Sequence, residues 1–93
     1  MFEWDEAKSR ANLKKHRISF DDVLPCFSGS MLVSLDDRED YGETRCIAVG
    51  FLHDVPIVIV YAERGENIRI ISARKADRYE RQKLKDFLKQ IGR

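Results

Sequence analysis

Apolar and polar residues alternate along this chain with two periods, and the changes of period divide it into eight segments. The first apolar residues, Phe2 to Trp4, form a short predicted edge strand. Asp5 is then placed to cap a helix running to about His16, with good helix formers at Ala7, Lys8, Arg10, Ala11, Leu13 and Lys14. Glu6 lies in its first turn and Lys14, Lys15 and His16 in its last, which complements the helix dipole at both ends. Ser19, with Asp22 three positions later, reads as the cap of a second helix. Pro25 keeps that helix short, and Ser28-Gly29-Ser30 ends it.

From Met31 the period shortens to two. Met31–Leu35, Thr44–Phe51, Pro56–Ala62 and Ile68–Arg74 read as four strands. An acidic loop from Asp36 to Gly42 follows the first, a turn near Leu52-His53-Asp54 joins the second to the third, and Glu63–Asn67 joins the third to the fourth. Ile57-Val58-Ile59-Val60 is apolar on both alternations, the mark of a central strand covered on both faces. A last helix is expected from about Lys75 to Ile91, its buried stripe made by Ala76, Tyr79 or Glu80, Leu84, Phe87, Leu88 and Ile91. Strands joined by short turns pair in sequence. The expected fold is a single α+β domain over residues 1–93: a small antiparallel β-sheet meander, flanked by two N-terminal helices and one C-terminal helix.

Composition narrows the class. With 43% hydrophobic residues the chain can build a core, so disorder is excluded. Its two cysteines, Cys26 and Cys46, match no metal-ligand spacing and are too few for a disulfide scaffold. The longest strongly apolar run, Pro56 to Ala62, is far short of a membrane span. A cytoplasmic protein with reduced thiols is expected. The net charge of +1 hides a division: residues 1–17 carry +2, residues 18–63 carry −7, and residues 64–93 carry +6. A basic final third in a nearly neutral chain points to a local anion site.

Little else in the chain supports catalysis. His16 and His53 are isolated, no set of ligands has metal spacing, and no glycine-rich phosphate loop occurs. Neither a metal nor another cofactor is therefore expected. What remains is Arg45, Arg64, Arg69 and Arg74, on or beside strands. Each has a plain reading as half of an ion pair. Together they fit a phosphate site, since planar guanidinium groups bind phosphate in a bidentate fork and offset the charge of a phosphoryl transition state. RNA brings its own nucleophile, the 2′-hydroxyl, so such a site needs only cations, a base and an acid. His16, Tyr61, Lys8 and Lys75 are candidates for those roles. The register of the last strand is ambiguous: strict alternation puts Arg69 and Arg74 on opposite faces, and only a bulge would bring them together.

Phe2-Glu3-Trp4-Asp5-Glu6-Ala7-Lys8, Asn12-Leu13-Lys14-Lys15-His16 and Ile18-Ser19-Phe20 resemble the start of BrnT-type toxins. Gly42-Glu43-Thr44-Arg45, Val60–Gly65 and Ile68–Ala76 are similar to the second half of that family. The resemblance implies a RelE-like fold and a ribonuclease that blocks translation. It also implies a BrnA-type antitoxin with a ribbon-helix-helix region, so that DNA is met only through the complex; a homodimer is compatible with it. Carried onto this chain, the resemblance puts catalysis on Arg64, Arg69, Arg74, His16 and Tyr61, and RNA binding on Lys8, Arg45, Lys75 and Arg78. Arg17 departs from the family's usual glycine after the Lys-His pair. The alternative is a non-catalytic module that binds RNA or the partner without cleaving.

Overall fold

The computed structural model describes residues 1–92. Strand β1 (Phe2–Glu3) leads into helix α1 (Glu6–His16), then a 3₁₀ helix (Asp21–Ser28), strands β2 (Leu32–Leu35), β3 (Arg45–Leu52), β4 (Val55–Arg64) and β5 (Asn67–Lys75), and helix α2 (Arg78–Ile91). One five-stranded sheet in the order β1-β5-β4-β3-β2 carries the mixed α+β fold. The four later strands form the expected antiparallel meander. The sheet as a whole is mixed, because β1 adds to β5 in parallel, with Phe2 opposite Ile68 and Glu3 opposite Arg69.

Two further expectations change. The second helix is 3₁₀, not α. Its capping box forms as read, Ser19 Oγ accepting from Asp22 N at 3.2 Å and Asp22 Oδ2 accepting from Ser19 N at 3.0 Å. Pro25 then removes a donor from the middle of so short a segment, and the tighter i→i+3 winding persists. The last helix begins later than expected. β5 runs on to Lys75, and Asp77 caps α2 through a complete capping box with Glu80.

Two apolar clusters lie on opposite faces of the sheet. Ile57, Ile59, Tyr61, Ile70, Ala73, Cys46 and Ala48 pack with Ile18, Phe20 and Val23 on one face. Val49, Val58, Ala76 and Leu84 meet on the other, under α2. The central strand β4 thus supplies both, as its unbroken apolar run predicts. Tyr79 and Ile91 stay outside the α2 stripe, 69% and 52% exposed. Trp4 packs against the first cluster.

Helix α1 is held differently. Its buried residues are Ser9 and Asn12. The Asn12 amide donates to Ile18 O at 2.7 Å and Ala73 O at 2.8 Å, and its Oδ1 accepts from Ala73 N at 3.3 Å. One side chain therefore stands in for a neighbouring strand along β5 beyond the end of β1. Ser9 Oγ accepts from Phe20 N at 2.9 Å. The helix closes at Arg17, whose φ of 64° is left-handed and whose N–H reaches Leu13 O at 2.8 Å.

Candidate functional site

The pairing of β4 with β5 decides where the arginines lie. Val60 is opposite Ser72, but Tyr61 is opposite Ile70, so β5 carries one extra residue at Ile71. Arg69 thereby faces Ala62 and Arg74 faces Val58. Positions 58 and 62 of one strand point the same way, so the bulge puts Arg69 and Arg74 on a common face. Arg64, two residues beyond Ala62, shares it. So does Arg45, which pairs with Ala62 from the other side. All four strand arginines occupy the face that also carries α2.

Fully buried Ala62 forms the floor between Arg45 and Arg69, which stand two strands, or roughly 10 Å, apart. Each guanidinium has an acidic neighbour. Arg69 Nη1 donates to Glu3 Oε2 at 3.0 Å, and Asn67 Nδ2 donates to the other oxygen at 3.0 Å. These two hydrogen bonds, the one from Asn67 foremost, hold the Glu3 carboxyl below the usual carboxylate range. Arg64 Nε donates to Glu43 Oε1 at 3.1 Å. Arg45 lies 3.8 Å from the second Glu43 oxygen, and its guanidinium rests on the Tyr41 ring, 3.7 Å from the centroid. Arg74 grips Glu80 in a two-pronged fork at 2.8 and 2.7 Å. Those bonds lower the Glu80 carboxyl and raise the Arg74 guanidinium, and they tie the end of β5 to the first turn of α2.

The other sequence candidates fall elsewhere. Tyr61 lies on the opposite face, 8% exposed, with its ring edge-on to Phe27 at 5.2 Å. Burial first, then the neighbouring Cys46, pushes its phenol up to about 12. Lys75 is exposed at the end of β5, and Arg78 is exposed in the first turn of α2. His16 and Lys8 share a depression of about 280 Å³ with Ala11, Asn12, Lys15, Phe20, Ile71 and Ser72. Positions 8, 11, 12, 15 and 16 follow helical spacing, so one stripe of α1 lines this groove. The arginine face and the histidine groove are separate places on the molecule.

Among the described residues no cluster of three or more His, Cys, Asp or Glu side chains is placed to hold a metal ion. No described helix is long and apolar enough to cross a membrane.

Residues 4–80 match the model of the family described as the ribonuclease toxin, BrnT, of type II toxin-antitoxin systems. The chain belongs to this family. No individually curated protein matches it. As a BrnT-family toxin it is a ribonuclease toxin with RNA as substrate and an antitoxin as partner. Met1–Glu3 and the chain beyond Glu80 lie outside the match, so the fork between Arg74 and Glu80 closes at its last residue.

The residues that reading the sequence missed are the partners: Glu3, Tyr41, Glu43 and Glu80. Glu43 precedes Arg45 by two positions, which puts both on one side of an extended segment, and that spacing was the available signal. Glu3 and Tyr41 gave none, since each meets its arginine through tertiary packing.

Proposed function

We propose that this toxin is a metal-independent endoribonuclease of RelE-like fold whose substrate lies across the face formed by Arg45, Arg64 and Arg69. The observation that carries the reading is the register at Ala62, which faces Arg45 on β3 and Arg69 on β5 and so sets these guanidinium groups, with Arg64 two residues on, around one small residue. The face is partly open, with the Arg64 side chain 50% exposed. Phosphate oxygens suit the same forks that now hold carboxylates. A phosphodiester bound there has its charge matched before any bond changes, which is how fixed cations lower a phosphoryl-transfer barrier.

The reaction follows from the substrate. The 2′-oxygen attacks phosphorus and loses its proton to a base. The bond to the 5′-oxygen breaks, and that oxygen takes a proton from solvent, leaving a 2′,3′-cyclic phosphate and a 5′-hydroxyl. Glu43 is the base in this reading, because its carboxylate lies between Arg45 and Arg64. Arg74, engaged by Glu80, fixes α2. Cleavage of cellular RNA blocks translation in the cytoplasm, and a BrnA-type ribbon-helix-helix antitoxin neutralises the toxin by covering the same face.

A second reading moves proton transfer to the α1 groove. It is favoured because His16 lines that groove together with Lys8 and Lys15, to which no described ion pair is made. His16 would take the 2′-proton and the lysines would hold the phosphate.

The test is cleavage of a mixed-sequence RNA by the purified chain in EDTA. The expected result is cyclic-phosphate ends from the wild type and at least a hundredfold loss in Arg69→Ala and Glu43→Gln, with His16→Gln active. Loss in His16→Gln with activity kept in Glu43→Gln selects the groove. No cleavage by folded wild type overturns both and leaves a module that binds without cutting.

A further inference from the structure

The most fully built part of the molecule outside the arginine forks is the loop between β2 and β3. Asp36 continues the ladder past Leu35, its N–H donating to Arg45 O at 2.8 Å. Its side chain is fully buried. Both carboxylate oxygens are engaged by Arg38, Nε to Oδ1 at 2.7 Å and Nη2 to Oδ2 at 2.8 Å, and the Tyr41 hydroxyl donates to Oδ2 at 3.3 Å. Gly42 then turns the chain with a φ of 71°, and its N–H is taken by Asp40 Oδ1 at 3.0 Å. The acidic loop is thus wound around one buried carboxylate.

That winding delivers the Tyr41 ring to Arg45. Of the four arginines Arg45 has the longest ion pair, 3.8 Å, and its neighbour Glu43 gives its nearer contact to Arg64. The Arg45 Nε is buried and has no hydrogen-bond partner. Arg69 and Arg74 are oriented by carboxylates; Arg45 is oriented by an aromatic face. A stacked guanidinium keeps its in-plane N–H groups for another acceptor and loses less side-chain freedom when one arrives.

We propose that Asp36 and Tyr41 are positioning residues that hold Arg45 ready for an RNA phosphate: Asp36 fixes the Tyr41 hydroxyl, and the Tyr41 ring fixes the guanidinium plane. This rests on the reading of the arginine face as the RNA site. Neither residue touches the substrate. Their effect on binding passes through Arg45 and disappears when Arg45 is removed, which a merely stabilising role would not show.

The experiment is a pair of double-mutant cycles on the full chain. The readout is fluorescence anisotropy of a short RNA carrying 2′-O-methyl groups, so that it binds without being cut. Arg45→Ala is expected to weaken binding roughly tenfold or more, as for loss of a hydrogen bond to a charged group. Tyr41→Leu and Asp36→Asn should each weaken it several-fold in the wild-type background. In the Arg45→Ala background each should change it less than twofold. Tyr41→Phe, which keeps the ring, should lie closer to wild type than Tyr41→Leu. Equal losses in both backgrounds overturn the proposal. If Asp36→Asn does not fold, the Tyr41→Leu cycle decides alone, because Tyr41 is not buried. Unchanged binding in Arg45→Ala with a loss in Arg69→Ala overturns this inference and spares the site. Unchanged binding in both overturns the site and the inference with it.

Discussion

Single residues carry strain and burial that can be measured one at a time. Arg17 sits at a φ of 64°, where a side chain costs about 1–2 kcal/mol that glycine does not incur. Glycine recovers most of this but loosens the unfolded chain. Arg17→Gly should therefore stabilise the fold by roughly 0.5–1 kcal/mol, read from a urea midpoint at unchanged slope. Tyr61 makes a pH-dependent case. Its phenol is raised to about 12 in the folded chain, against about 10 when unfolded. The folded state then binds the proton more tightly, so stability is whole below about pH 10 and falls as pH rises towards 12. Tyr61→Phe should flatten that alkaline limb in denaturation curves taken across this range. The arginines were legible in the sequence because charge on a strand is conspicuous. The most distant carboxylate partner was not, because Glu3 and Arg69 lie 66 positions apart and nothing local links them.

At the scale of elements, capping and helix propensity found α1, while periodicity found α2 and the four later strands and placed β4 in the middle correctly. It could not fix the register of β5, since one extra residue at Ile71 reverses the side on which Arg74 falls. Periodicity also gave no account of how α1 is attached. A helix whose buried residues are Ser9 and Asn12 has no apolar stripe to read. Its dock is the Asn12 amide against the Ala73 peptide, so Asn12→Ala leaves two buried main-chain groups of Ala73 without their partner. The expected loss is about 1–3 kcal/mol per group, measured by chemical denaturation. Hydrogen exchange at Ala73 should rise with it. The 3₁₀ helix was misread as α because a capping box signals a helix start whatever winding follows.

For the molecule as a whole, the division of charge along the chain is reconciled across the sheet. The acidic middle segment supplies Glu43 to Arg64 of the basic final third, and the N-terminal segment supplies Glu3 to Arg69. The arginine face is therefore nearly neutral at close range, although it is built from cations. Under the proposed function, covering it with phosphate exchanges one set of anions for another. Strand β1 has a different consequence, one of timing. Glu3 can neither pair with Arg69 nor join the sheet beside β5 until 66 further residues have been made. At the roughly 5–20 residues per second of protein synthesis, that interval is about 3–13 s. A nascent chain on the ribosome thus lacks its completed arginine face for most of its own translation, a delay written into the order of its residues.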